Sequence, residues 1–508
     1  MNDFMENRQV ILSDLLSGVP YQIINGSENI TIQHVTADSR DILPATLFVC
    51  IRGYRFDGHH YIQNACAAGA AAVVVEDASA AEFLMGSSVT VILVEKSRQS
   101  AAYIAANWYG NPADRLNVIA ITGTKGKTTA THMISSILNA AGIPTGTIGT
   151  MGAVFAGRQL ETANTTPEPF TLHRLFREMY DAGCTHVIIE ASSQGFKLDR
   201  TAGICFKYGL FLNIAKEHIG EEEHHSFEEY LQCKMAIFHQ SERMIVNKGN
   251  PVWNYLSLSQ QQESITFSAS GPADYYSTHC TPSLGTPDDF YLGITFDVKG
   301  LLDGEVNMPI NLRMPGTYNV DNALAAIALT HSIGVDAQTI VDALASFEVE
   351  GRTQLVSKAY AHGQTVLLDY SHNAVSMENL LTTLRDYCQG RIICVFGARG
   401  NRTKTRRYAI GSAAGKFADH IVLTSDNLTD ETFLEANQQV IEGIQSQNGS
   451  YELVEDRAKA IQHALTIARR EDFVVVTGKG HEHYQLIDGK PVYFSEEAVV
   501  NDFFDSLD

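Results

Sequence analysis

Short apolar runs that stop abruptly at glycine-rich or charged stretches recur along this chain, and many are followed by apolar positions at helical spacing. Leu116 to Ile121 is the most complete case, a run of the length of a buried parallel strand. Gly123, Thr124, Lys125, Gly126, Lys127, Thr128 and Thr129 follow, then Met133, Ile134, Ile137, Leu138 and Ala141 on one helical face, with Gly142 placed to close the helix. Thr46 to Ile51 and Ala71 to Val75 predict strands around a helical His60 to Ala70. Further strands are expected at Thr185 to Ile189 and Tyr208 to Asn213. Near the end, Val366 to Asp369, Arg391 to Phe396, Ile421 to Thr424 and Phe473 to Thr477 each run into a polar loop. Strands alternating with helices in this way predict an α/β chain with parallel sheets and ligands at the strand ends. Residues 251 to 300 show no pattern that assigns them.

The 508 residues exceed a single core, and three domains are expected. They are a small α/β domain over 1–112 (Asn111-Pro112 marking its end), a central P-loop ATPase-like parallel-sheet domain over 113–345, and a Rossmann-like domain over 346–508. Charge and composition narrow the partners. The net charge of −21 argues against a nucleic-acid surface, so bound anions require local basic pockets. No run of 18 apolar residues occurs and Met1 to Gly18 carries charges throughout, so neither a membrane span nor a signal peptide is expected. The eight cysteines are scattered without a CxxC pair and read as thiols of a reducing cytoplasm.

The chemistry concentrates at strand ends. The loop from Gly123 to Thr129, between a strand and a helix N-terminus, points backbone N–H groups at phosphate. Lys127 adds a positive charge and Thr128 a magnesium ligand, although Thr122 stands where the general phosphate-loop pattern has its first glycine. Glu190 ends the next strand and suits magnesium; the alternative is a carboxylate facing water. The cluster around His224 and His225 reads as a solvated loop. Ser226 and Glu229 form a capping box, and Lys234, seven residues after Phe227, falls on the inward stripe of that helix. An inward lysine is either a snorkelling side chain or a neutral amine able to take up carbon dioxide as a carbamate. Ser39 and Arg40 could hold a nucleotide diphosphate or simply form a turn. Asn319 and Asn322 could face a purine or cap a helix.

Taken in order, these segments resemble the Mur ligase family. The resemblance rests on Asp38-Ser39-Arg40, the Asp57-Gly58-His59 loop, Thr122 to Thr129, Asn164-Thr165-Thr166-Pro167-Glu168, Glu190-Ala191-Ser192-Ser193, Asp369 to Asn373 and Gly478 to Gln485. It implies ATP-dependent addition of an amino acid to UDP-N-acetylmuramoyl-L-alanyl-D-glutamate through an acyl phosphate, by a cytoplasmic monomer of peptidoglycan synthesis. Ser39 and Arg40 match the uridine-diphosphate region, and Asn164, Thr165, Thr166, Ser192 and Arg200 match contacts to the muramoyl-peptide. Lys127, Thr128, Glu190 and His218 match the ATP and two-magnesium set, with Lys234 as the carbamylated lysine. Asn319, Asn322, Arg352 and Asp369 match adenine and ribose contacts. Arg402, Asp426, Asn427, Gly478 and Glu482 match the pocket of the added amino acid. Diaminopimelate-adding members carry Asp-Asn-Pro-Arg where this chain has Asp426-Asn427-Leu428-Thr429, so a lysine-like or a diaminopimelate-like substrate is implied. A folylpolyglutamate-type ligase, a specialised relative acting on another carboxylate and an inert nucleotide-binding relative are the alternatives.

Overall fold

The computed structural model describes residues 8–53, 56–217, 219–220, 223–286, 289–300, 306–400, 403–428, 431–487 and 489–507. His218 and Arg402 lie outside the described residues. The chain forms two compact units, Met1–Tyr275 with Asn322–Thr339, and Tyr276–Asp321 with Ile340–Asp508.

Besides the short antiparallel pair Val10–Ile11 with Thr31–Ile32, the first unit holds two larger sheets. In the smaller, the strands run in the order Tyr21–Asn25, Thr90–Val94, Ala70–Val75, Thr46–Val49 and His34–Thr36. All pair in parallel except the first, which is antiparallel to Thr90–Val94. Leu47, Val49, Val74 and Ile92 from this sheet pack with Ile104 and Trp108 of the helix Ser97–Trp108. The larger sheet of this unit runs Arg158–Leu160, Gly152–Phe155, Thr145–Gly149, His186–Glu190, Asn117–Thr122, Phe206–Phe211, Ser241–Asn247, Ile265–Ser268. Its last six strands are parallel. Asn117–Thr122 sits between its neighbours with Ile121 opposite Glu190 and Thr122 opposite Phe211, so Thr122 and Glu190 reach the same carboxyl edge. That strand is one residue later than the apolar run suggested. Thr122 is wholly buried and its Oγ1 donates to the Ala191 carbonyl at 2.8 Å, which lets a polar residue extend the ladder. The helix after it spans Lys127–Ala140, burying Met133, Ile134, Ile137 and Leu138, and Gly142 closes it at φ +75°.

In the second unit the strands run Gln354–Leu355, Thr365–Asp369, Phe473–Thr477, Ile392–Arg399, His420–Asp426 and Tyr451–Leu453, all parallel but the first. Alternate residues feed separate cores. Cys394, Phe396, Leu423 and Val475 join Leu380, Leu384, Val440 and Ile444 on one side. Ile393, Val395, Val422 and Val474 join Ile461, Leu465, Val500 and Phe504 on the other. Burial on both faces explains why these strands read as continuous apolar runs.

Two expectations change here. The unassigned 251–300 region contains the strands Tyr275–Thr286 and Asp289–Gly300, and the latter pairs antiparallel with Val306–Leu312. The alternation Ile294, Phe296, Val298 against Thr295, Asp297, Lys299 was the signal for it. Helix capping by Asn319 and Asn322 is ruled out, because the helix starts earlier and runs Thr317–Ile333. Asn319 lies inside it, buried, donating from Nδ2 to the Pro315 carbonyl at 2.8 Å.

Candidate active site

The loop between Thr122 and Lys127 needs glycine where its backbone turns left-handed: Gly126 has φ +84°, and a Cβ there would lie 2.2 Å from Asn322 Oδ1. Asn213 secures the loop, its Oδ1 accepting from the Lys125 N–H at 2.9 Å and its Nδ2 donating to the Lys125 carbonyl at 3.0 Å. The Lys125 ammonium pairs with Glu217 at 2.9 Å. Lys127 Nζ and Lys234 Nζ each donate to the Gly123 carbonyl at 2.8 Å, and Lys234 also approaches Thr122 Oγ1 at 3.4 Å.

Lys234 reaches this point from the helix Phe227–Met235 because it shares the inward stripe with Tyr230 and Leu231. Only 1% of it is exposed, which excludes a snorkelling side chain. Burial, reinforced by the Lys127 charge, drives its pKa well below the ordinary lysine value. The ring of Tyr230 lies 4.9 Å from its Nζ, and the Tyr230 hydroxyl meets Thr124 Oγ1 at 3.0 Å. The predicted capping box is half formed. Ser226 accepts from the Glu229 N–H, but the Glu229 carboxylate takes the His225 N–H at 2.7 Å and pairs with Lys197. His224 is buried rather than solvated, with Nε2 2.9 Å from Ser193 Oγ and its ring against Tyr230, whereas His225 is exposed as a solvated loop requires, and Glu221 and Glu222 lie outside the described residues.

Glu190 is 1% exposed and does not face water. Its carboxylate accepts from Thr128 Oγ1 (3.1 Å), the Thr150 N–H (3.0 Å) and Thr150 Oγ1 (3.1 Å). A Cβ at Gly149 would stand 2.1 Å from Glu190 Oε1, so the neighbouring strand must carry glycine there. Thr128 and Glu190 together offer buried oxygen donors of the kind a small divalent cation takes. From the Glu190 backbone the network passes to the substrate-assigned residues: Thr166 Oγ1 donates to the Glu190 carbonyl at 2.9 Å and lies 3.0 Å from Ser192 Oγ. Arg200 Nη1 donates to the Thr166 carbonyl at 2.9 Å while Nη2 pairs with Glu168 at 2.6 Å. Thr165 Oγ1 is 3.3 Å from Thr150 Oγ1, and the Asn164 carbonyl accepts from Thr162. The structure thus gathers Gly123, Thr124, Lys125, Gly126, Lys127, Thr128, Thr129, Thr165, Thr166, Glu190, Ser192, Arg200, Lys234 and Asn322 about one sheet edge of the first unit.

Ser39 and Arg40 belong instead to the smaller sheet, after its strand His34–Thr36. Arg40 is strongly exposed and folds onto Asp38, with Nε at 2.9 Å and Nη2 at 2.6 Å, and these bonds hold the Asp38 pKa down to about 2. After the neighbouring strand Thr46–Val49, His59 Nδ1 meets Asp57 at 2.6 Å and its Nε2 accepts the Glu76 N–H at 3.0 Å.

In the second unit Asp426, Asn427, Gly478 and Glu482 converge at the carboxyl edge of the sheet around a residue the sequence reading left out, Arg399. Arg399 stands opposite Asp426 in register and its Nε donates to Asp426 Oδ2 at 3.3 Å, while Nη2 bonds Glu482. Burial opposes the guanidinium charge, but Asp426 and Glu482 more than restore it. Tyr370 donates to Glu482 at 3.2 Å, and Arg352 and Arg399 lie over its ring at 4.8 and 5.8 Å. Lys479 Nζ bonds Asn427 Oδ1 at 2.9 Å and the Tyr484 carbonyl at 2.8 Å, and approaches Asp426 at 3.4 Å. Asp369 accepts from the Thr353 N–H (2.7 Å) and from Ser371 Oγ (2.6 Å). Arg399 was visible only as a charged residue directly after an apolar strand.

A glycine turn suited to phosphate on one parallel sheet, and a charged carboxyl edge on another, define a nucleotide-binding α/β protein. Three family descriptions match: Mur ligase family, catalytic domain, over residues 31–109; Mur ligase middle domain over 121–330; and Mur ligase, glutamate ligase domain, over 351–480. The UDP-N-acetylmuramoyl-L-alanyl-D-glutamate–2,6-diaminopimelate ligase of Clostridium tetani is 34% identical, with 98% of this chain and 99% of that protein aligned. The protein of the same name from Caldanaerobacter subterraneus is 35% identical over 97% and 98%. The chain belongs to the Mur ligase family and is an ATP-dependent, amide-bond-forming ligase. Solved structures agree on the fold. A ligase titled with the same diaminopimelate name matches with TM-score 0.69 at 24% identity, over 98% of this chain and 99% of that one. Folylpolyglutamate synthase of Mycobacterium tuberculosis matches with TM-score 0.61 at 17% identity, over 75% of this chain and 92% of that one. Among the described residues no helix is long and apolar enough to cross a membrane.

Proposed function

We propose that this ligase transfers the γ-phosphate of ATP to the free carboxylate of UDP-N-acetylmuramoyl-L-alanyl-D-glutamate and joins the activated acyl group to an amino acid, as a cytoplasmic step of peptidoglycan synthesis. The observation that carries the reading is the meeting of Lys127 and Lys234 on the Gly123 carbonyl, beside a buried Thr128–Glu190 pair. The diaminopimelate named for its relatives is the first candidate for the amino acid.

Each part of the site has a physical task. The γ-phosphate and the carboxylate are both anions and repel one another, so charge must be neutralised before they can approach. Loop N–H groups and Lys127 do this at the phosphates. Thr128 and Glu190, with His218 completing the set by resemblance, would hold two magnesium ions, which supply further charge neutralisation when bound. Lys234, whose burial favours the uncharged amine, is suited to capture carbon dioxide: a bond forms between Nζ and carbon, one proton leaves, and a neutral amine becomes an anion able to join the metal ligands. Ser192, Thr166 and Arg200 orient the muramoyl-peptide, and Ser39 and Arg40 the uridine diphosphate. Asn319, Asn322, Arg352 and Asp369 serve adenine and ribose. Arg402, Asp426, Asn427, Gly478 and Glu482 position the amino acid, whose uncharged amine attacks the acyl phosphate to leave the amide and inorganic phosphate.

Phosphate release measured with UDP-muramoyl-dipeptide, a folate or neither, against diaminopimelate, lysine, ornithine and homoserine, tests the assignment. Turnover that requires the muramoyl-dipeptide supports it; turnover with the folate, or with no acceptor at all, overturns it.

A further inference from the structure

Among the described residues, three cations at the carboxyl edge of the second sheet each meet a carboxylate. Arg399, Arg457 and Lys479 face Asp426, Glu482 and Glu496. Arg457 and Glu496 form a closed pair at 2.5 Å, both wholly buried, with the remaining guanidinium donors on the Thr477 and Ser425 carbonyls. Lys479 is likewise enclosed, tied to Asn427 and the Tyr484 backbone. Of the three cations, Arg399 keeps the greatest exposure, 18% of its side chain, and its partner Glu482 keeps 11%. These two groups are therefore the accessible ends of the cluster, with Tyr370 as a common floor.

An incoming side chain must respect this pairing. A lone ammonium, as on lysine or ornithine, can pair with Glu482 only by displacing Arg399 and leaving a half-buried guanidinium with one partner fewer, which is costly. A side chain ending in both an ammonium and a carboxylate exchanges partners without that loss. Its ammonium takes Glu482, its carboxylate takes the Arg399 fork, and every charge stays paired. Resting on the ligase reading above, we propose that Arg399 is the specificity-determining residue for the added amino acid, its guanidinium receiving the distal carboxylate of a diaminopimelate-type side chain while Glu482 receives the distal ammonium. The segment after Asp426-Asn427 then needs no cation, because the charge that reads the carboxylate is supplied opposite Asp426, at the end of Ile392–Arg399.

The test compares meso-diaminopimelate with L-lysine in the phosphate-release assay on the full chain, wild type against R399A and R399K, with thermal unfolding of each. The expected result is a wild type that prefers diaminopimelate and an R399A variant whose kcat/KM falls about thirtyfold or more further for diaminopimelate than for lysine. That loss should lie in KM, with KM for ATP unmoved, and be partly repaired by added guanidinium and by R399K. Equal losses with both amino acids, or an unchanged diaminopimelate KM, overturn the proposal while leaving the ligase reading intact. A wild type inactive with the muramoyl-dipeptide and every amino acid overturns the ligase reading itself.

Discussion

The two charged sites solve opposite problems. In the first unit, the amines of Lys127 and Lys234 share one backbone carbonyl and Lys234 also nears a hydroxyl, while Lys125 pairs with Glu217 and Arg200 with Glu168. In the second, Arg399, Arg457 and Lys479 at the sheet edge each meet a carboxylate. A site that must draw in the phosphates of ATP gains from donors gathered at one glycine turn, since the incoming anion then brings the strong interaction. A site for a zwitterionic amino acid gains from pairs that can be exchanged one for one. Buried bases against neutral groups also make the first unit sensitive to acid, whereas cross-pairing protects the second: burial pushes the Asp426 carboxyl up, yet Arg457, Arg399 and Lys479 hold it below the usual range.

The largest effects should come from breaking the first site. Lys127→Ala and Lys234→Ala are each expected to lower turnover by about a thousandfold or more, the first through lost charge at the transferring phosphate and the second through loss of the carbamate that would join the metal ligands. Bicarbonate should not restore Lys234→Ala, while a small carboxylic acid such as acetate should do so in part; full activity of that variant without additive would remove the carbamate. In the second site the equivalent insult strikes stability. Asp426→Asn leaves three cations around a neutral amide and should cost about 3–5 kcal/mol in urea unfolding, read from a probe in the second unit.

A pH experiment sharpens the contrast. His173 is wholly buried beside Phe176, neither ring nitrogen has a hydrogen-bond partner among the described residues, and burial lowers its pKa to about 4 from 6.5. Between those values the unfolded chain holds a proton that the folded chain sheds, so stability is lost as pH falls from 6.5 toward 4. His173→Leu should abolish about 3 kcal/mol of that loss, seen as a flatter dependence of unfolding free energy on pH. The smallest effect belongs to Lys234→Met. Because the folded pKa is lowered, wild-type stability rises with pH up to the unfolded lysine value. At neutral pH without bicarbonate the methionine variant should therefore melt at or slightly above the wild-type temperature, although inactive.

How much of this was legible in the chain varies by residue. Phe473–Thr477 was read to the residue because both its faces are buried and its apolar run is unbroken. The strand at Asp289–Gly300 was missed because its alternation is diluted by exposed polar positions. Asn319 reads like a cap in a linear sequence because nothing local reveals that the helix has already begun at Thr317. His224 follows three glutamates and looks wet, yet its ring is enclosed by Ser193 and Tyr230, which come from other elements.

By itself, the order of residues determined the α/β alternation, the glycine turn at Gly123–Gly126 and the inward placement of Lys234, because each depends on a period or spacing of a few positions. Only the tertiary structure decided which charges meet. Arg399 is 27 residues from Asp426 and 83 from Glu482 along the chain, and their pairing exists only because parallel strands bring distant ends to one edge. Local spacing fixes which way a side chain points; long-range register fixes the charge it meets, and with it the chemistry it can perform.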